Sequence, residues 1–139
     1  MEDLALSAAS GRTHVALSLR KRRDSDAKQV LHFLLAGVSY IKHAVIVDSD
    51  VNVRDPADIE WAIATRVQGD ADLVVIPNLR ARSIDPSKKE GMFTAKVGID
   101  ATVPIAERRR FKRISVPAGV KQSVTKRFAT VMTPKTNVS

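Results

Sequence analysis

An open, mostly parallel α/β sheet with helical crossovers is the fold class this 139-residue sequence predicts, on three observations. HAVIV at positions 43–47 is a short β-branched run, too short for a helix, of the kind that forms a strand covered on both faces. Asp55-Pro56 opens the next segment as a helix start, because Asp55 can accept from first-turn amides and Pro56 gives up an N–H that would be orphaned there anyway. Strand-like and helix-like periodicities then alternate with short connections, for which right-handed crossovers onto one sheet are the common solution.

Taken in order, residues 13–19 (THVALSL) alternate Val15, Leu17 and Leu19 with Ala16 and Ser18, the period of a half-buried strand. The basic run RKRR at 20–23 reads as its exit loop. Asp24, Ser25 and Asp26 are helix-start residues, and the segment after them places Val30, Phe33, Leu34, Val38 and Ile41 on one stripe. His32 reads as a residue at the margin of that face, since no other ligand or carboxylate stands at helical spacing from it. After the central strand, the helix from Pro56 buries Ile59, Ala62, Ile63 and Val67, with Gly69 expected as its left-handed C-terminal residue. Residues 72–77 (DLVVIP) are a third strand, 78–91 an exposed polar loop and 93–99 a fourth strand. The arrangement is Rossmann-like, with an N-terminal arm at 1–12, the α/β domain at 13–113 and a basic, irregular tail at 114–139.

With no Cys, thiol nucleophiles, disulfides and zinc–cysteine sites are excluded. No apolar run reaches the length of a membrane span and the first residues are acidic rather than basic, so the expected location is the cytoplasm, without a membrane. The net charge of +8 is concentrated at 20–23 and 107–113. Only Phe111 and Phe128 accompany the basic residues of the C-terminal part, too few for a single-strand stacking platform. The charge runs read as solvated or docking faces, and nucleic acid is not the expected partner.

The carboxylates of Asp48 and Asp50, at the end of the central strand, admit three readings. They can share a divalent cation, as in the D-x-D element of nucleotide-sugar glycosyltransferases. They can divide acid and base work, which requires environments that push their pKa values apart. Or, with Asn52, they can accept hydrogen bonds that fix the turn into the next helix. Arg66 is placed to pair with either carboxylate across that turn. Trp61 lies off the main helical stripe, as a partly buried residue or as an anchor at a subunit contact.

Three motifs occur in order: Asp48, Asp50, Val51 and Asn52 as D-x-D-V-N; Trp61, Ala62, Ile63, Thr65 and Arg66 as W-A-I-x-T-R; and Lys96, Val97, Gly98, Ile99, Asp100, Ala101 and Thr102 as K-V-G-I-D-A-T. Together they resemble the C-terminal region of the UbiD-like carboxy-lyases, the polyprenyl-hydroxybenzoate decarboxylase family, over residues 13–113. The resemblance implies prenylated-FMN-dependent, non-oxidative decarboxylation or carboxylation of an aromatic or unsaturated acid. It implies no catalysis by this chain alone, because the flavin site and the Glu-Arg-Glu set of the family lie in a portion with no counterpart here. The four glutamates, Glu2, Glu60, Glu90 and Glu107, stand in no such motif, so no catalytic residue is carried over.

What the resemblance suggests is a small subunit that assembles with a large UbiD-like catalytic subunit holding the prenylated FMN, with homo-oligomerisation open. The alternatives are a non-catalytic binding or assembly module and, more remotely, a glycosyltransferase fragment. Lys42 is the candidate for a cofactor phosphate contact, against a solvent-facing lysine. Ser49 and Asn52 stand where the family often has acidic residues. That lowers the charge of the turn and favours hydrogen bonding over a tight metal site.

Overall fold

The computed structural model describes residues 1–7, 10–111 and 118–132. It contains β1 (Asp3–Leu6), β2 (His14–Ser18), α1 (Asp26–Gly37), β3 (His43–Val47), α2 (Pro56–Arg66), β4 (Leu73–Arg80), β5 (Phe93–Ala101), a 3-10 turn (Ile105–Glu107) and α3 (Ala118–Met132). The five strands form one open sheet in the order β1-β2-β3-β5-β4. β2, β3 and β5 run parallel at its centre, while β1 and β4 join antiparallel at the two edges. No described helix is long and apolar enough to cross a membrane.

The fold is the α/β class the sequence predicts, with helices on both faces. On one side α1 packs Ala27, Leu31 and Leu35 against Val15, Leu17, Ala44 and Ile46. On the other, Ala62 of α2, with Val51 and Val53 of the preceding turn, packs against Ala16, Val45 and Val47. Val15 to Ser18 are therefore buried on both faces rather than half-buried.

Several local readings are corrected. The buried stripe of α1 runs through Ala27, Leu31 and Leu35, and Phe33 is exposed. Val30, Leu34 and Val38 of the predicted stripe pack, partly buried, against the same core and Ile41 is buried in it, so Phe33 is the one residue of that stripe turned outward. The second helix begins as expected, with the Asp55 carboxylate accepting from the Ala57 N–H at 3.0 Å. It ends at Arg66 with Val67 extended, however, and Gly69 is not left-handed.

Strand β4 runs on to Arg80, so the following loop begins later, and it is not wholly exposed: Asp85 is buried. Within the segment read as an arm, Asp3–Leu6 pairs with β2. Within the segment read as an irregular tail, Ala118–Met132 is helical, and 114–117 and 133–139 lie outside the described residues.

Gly98 faces α1 at the closest approach of helix and sheet. A Cβ built there would lie 2.9 Å from Leu31 Cδ2 and 3.1 Å from Leu35 Cδ1, so the absence of a side chain lets the helix seat. Two residues earlier on the same face, the buried Lys96 donates from Nζ to the carbonyls of Val38 (2.8 Å) and Ser39 (3.4 Å), just beyond the C-terminus of α1. Its ammonium supplies donors to carbonyls at a helix end. Burial lowers its pKa below the ordinary lysine value.

Candidate functional site

The D-S-D turn leaves the sheet at the C-terminal end of β3, where open α/β sheets collect ligands. Asp48 and Asp50 both face Arg66, the last residue of α2, whose positive charge suits a helix C-terminus. Arg66 Nη1 donates to Asp48 Oδ2 at 3.3 Å and to Asp50 Oδ1 at 3.0 Å, and Nη2 donates to Asp50 Oδ2 at 2.5 Å. The guanidinium lies 4.9 Å from the centre of the Trp61 ring, a cation–π contact with a residue five positions back along α2. The Arg66 side chain is 1% exposed, against 14% for Asp48 and 52% for Asp50.

The two carboxylates sit in different environments. Burial pushes the Asp48 carboxyl above its ordinary value, against the opposing pull of the Val103 N–H, which donates to Oδ2 at 2.7 Å, and of the Lys21 and Arg66 charges. The Arg66 hydrogen bonds hold Asp50 below its ordinary value, despite partial burial. Such a divergence is what an acid–base pair needs. Here, however, Asp48 Oδ2 is already shared by Val103 and Arg66, and both Asp50 oxygens accept from the guanidinium. A divalent ion bridging the two would have to displace Arg66. Among the described residues no group of three or more His, Asp or Glu is placed to hold a metal. The chemistry on display is a locked ion-pair cluster.

The rest of the turn is tied down locally. Asn52 donates its backbone N–H to Asp58 Oδ2 at 2.7 Å and accepts from the Arg54 N–H on its side-chain oxygen at 3.0 Å. Thr65 donates its hydroxyl to the Trp61 carbonyl at 2.8 Å. Trp61 itself is half-buried against the α2 side of the core.

A second network ties the segment after β5 to the loop after β2. Asp100 Oδ1 accepts from the Thr102 N–H at 3.0 Å and from its hydroxyl at 2.6 Å. Thr102 Oγ1 in turn accepts from Lys21 Nζ at 2.8 Å, and Lys21 pairs with Asp24 at 3.1 Å. The motif residues Asp100 and Thr102 thus anchor a lysine from the run read as a solvated loop. Lys21 is buried, and nothing local in RKRR distinguishes it from its neighbours. Beside the Arg66 cluster lies a cleft of about 620 Å³ lined by Arg20, Asp48, Asp50, Arg66, Arg108 and Arg109, among others.

Lys42 lies at the opposite end of β3. Its ammonium donates to Asp85 Oδ1 at 2.9 Å and to the Ser87 hydroxyl. Asp85 is held down to about 2, chiefly by the Lys42 hydrogen bond and also by Ser87. The residues present do not make a cofactor cradle there, since a phosphate would compete with a buried carboxylate for the one ammonium. In the sequence the I-D-P of residues 84–86 carries only the signal of a turn in a polar loop, and nothing there marks Asp85 as the buried partner of Lys42.

Lys42→Met is expected to destabilise the fold by about 2 kcal/mol, because it strands Asp85 without its cation. Hydrogen exchange should show residues 81–92 opening first. A carboxyl whose pKa is lowered on folding adds stability above its unfolded value of 3.8, lost as the pH falls toward about 2. The variant should lack that acid-range loss in urea titrations.

Comparison with known proteins agrees with this geometry. Residues 1–101 match the family of 3-octaprenyl-4-hydroxybenzoate carboxy-lyase C-terminal domains. The chain is 45% identical over 102 residues to the anhydromevalonate phosphate decarboxylase of Methanothermobacter thermautotrophicus, covering 73% of this chain and 24% of that protein. Among solved structures, the UbiD-class enzyme HmfF from Pelotomaculum thermopropionicum, in complex with FMN, matches with a TM-score of 0.77 and 33% identity, over 86% of this chain and 27% of that one. An evolved dimeric form of HmfF in complex with prFMN matches with a TM-score of 0.64 and 31% identity, over 86% and 24%. The chain spans about a quarter of the length of these relatives. With 101 matched residues, the three motifs and the sheet in agreement, the chain belongs to the UbiD-class carboxy-lyase family and corresponds to its C-terminal domain.

Proposed function

We propose that this chain serves as the C-terminal, shape-giving part of a prenylated-FMN-dependent decarboxylase acting on an aromatic or unsaturated carboxylic acid. The cofactor and the proton-transferring residues come from a large UbiD-like catalytic subunit with which it assembles. The observation that carries the reading is that the chain matches about a quarter of decarboxylases of this class while its own charged motif residues are spent on internal pairs. Relatives solved with FMN and with prFMN support the choice of cofactor. The locked Arg66 cluster and the Lys42–Asp85 pair support a role in assembly rather than in chemistry.

The test is co-expression with candidate large UbiD-like subunits and a flavin prenyltransferase, followed by co-purification and decarboxylation assays with and without this chain. The expected result is a complex whose turnover falls when the chain is omitted. A large subunit that is equally active alone and forms no complex would sink the proposal and leave a free-standing assembly module as the reading.

A further inference from the structure

We propose that the cleft beside the Arg66 cluster is a binding site for a small phosphomonoester, a dianionic phosphate carried on a flat apolar body. The cleft stands at a point the topology singles out. β2 and β3 are parallel neighbours, yet the chain leaves β2 for α1 on one face of the sheet and leaves β3 for α2 on the other. Adjacent strands whose connections part in this way leave a crevice between their C-terminal ends, which is where open α/β sheets hold ligands. Leu19 and Arg20 line the cleft from the exit of β2, and Asp48 and Asp50 line it from the exit of β3. Its volume of about 620 Å³ falls within the range of small-molecule sites.

The charge in the cleft comes from the two basic runs of the sequence, which the fold brings together. Arg20 belongs to the first run, and Arg108 and Arg109 belong to the second. With Arg66, four guanidiniums face two carboxylates, an excess of two positive charges. Asp48 and Asp50 are already bound to Arg66, so the excess rests on the three outer arginines. Among the described residues Arg109 is in no ion pair, Arg108 acts on Asp24 only through space, and Arg20 meets Glu2 at 3.7 Å with its own side chain 80% exposed. The segment that carries Arg108 and Arg109 is pinned in place. The Val103 N–H donates to Asp48 Oδ2 at 2.7 Å, the Ile105 N–H to Asp24 Oδ1 at 2.9 Å, and the Arg110 N–H to the Glu107 carbonyl at 2.8 Å. A ligand therefore meets a backbone that is already ordered. A phosphomonoester carries about two negative charges at neutral pH, which matches the excess, and its oxygens suit the guanidinium fork. Buried Leu19 and Val103 and half-buried Phe111 give the cleft an apolar wall for the body of the ligand. A nucleic-acid strand calls instead for a long basic groove with several stacking aromatics.

The probe is phenyl phosphate, titrated into the full-length chain at low salt by calorimetry, with inorganic phosphate and benzoate run alongside. The expected result is saturable binding of one phenyl phosphate per chain, about tenfold tighter than benzoate and several-fold tighter than inorganic phosphate. Arg108→Ala and Arg109→Ala should each weaken it by about tenfold, the effect of one charge-assisted hydrogen bond. Arg110→Ala removes the same charge from the same segment, but Arg110 pairs with Glu107 and does not line the cleft, so binding should change by less than about twofold. Phe111→Ala should erase the advantage of phenyl phosphate over inorganic phosphate. The three arginines are exposed, and circular dichroism checks that each variant folds. No saturable binding overturns the proposal. So does a loss on Arg110→Ala equal to that on Arg109→Ala, which would mean diffuse charge, or an affinity for benzoate equal to that for phenyl phosphate. Salt-sensitive retention of a single-stranded oligonucleotide through the same arginines, without saturation by phenyl phosphate, overturns it in favour of a nucleic-acid surface. None of these readouts depends on decarboxylase activity, so their outcome is separate from that of the proposed catalytic assembly.

Discussion

Arg66→Met is expected to lower the unfolding free energy by about 3 kcal/mol, the lower end of the range for removing one member of a buried ion pair. Asp50 is half exposed and regains water when the guanidinium goes, so it contributes little to the loss. Asp48 is 14% exposed and, among the described residues, keeps the Val103 N–H and the more distant Lys21 charge. Loss of the contact with Trp61 adds a fraction of the total.

The pH dependence follows from Asp48. A carboxyl whose pKa is raised on folding binds its proton more readily in the native state, so it favours the folded form as the pH falls through that raised value. Without Arg66 the Asp48 carboxyl should rise further. The deficit of Arg66→Met should therefore be largest at neutral pH and shrink on acidification. In the Arg66→Met background, Asp48→Asn should recover a good part of the loss at neutral pH, and Asp50→Asn should recover little. Urea unfolding of the four proteins measures all of this. A deficit that does not vary with pH, with no recovery from Asp48→Asn, would mean that the cost is lost packing alone.

What the sequence reveals of this molecule divides along a physical line. The central strand, the Asp55-Pro56 helix start and the position of the D-S-D turn are legible because each rests on local signals: β-branched composition, a cap and a proline at its favoured position. The pairing of Arg66 with the turn is legible as well, since the strand–turn–helix path brings the end of α2 back to the end of β3. Features that depend on partners distant in sequence are not. Lys21 meets Thr102 81 residues away, and Lys42 meets Asp85 43 residues away. Neither basic residue carries a mark in its own neighbourhood that separates it from a solvated one. The choice of Leu31 over Phe33 as the inward residue of α1 is likewise made by the sheet, specifically by the space that Gly98 leaves open.

That space gives the second large effect. Gly98→Val is expected to destabilise the domain by about 3 kcal/mol, near the upper end for overpacking a well-filled core. Even the first added carbon would meet Leu31 at 2.9 Å and Leu35 at 3.1 Å, and both leucines are fully buried, with little room to turn away. Gly98→Ala should lose less, about 1 kcal/mol, because it adds one carbon where valine adds three, and replacing a strand glycine also lowers the entropy of the unfolded chain.

The decisive variant is the double. Leu31→Ala alone should lose about 3 kcal/mol through the cavity it opens. Combined with Gly98→Val, the new methyl groups occupy that cavity, and the two losses should fall short of their sum by at least about 2 kcal/mol. Chemical denaturation of the two single variants and the double closes the cycle. Strict additivity would show that Gly98 is required for the strand's own backbone and not for the seating of α1.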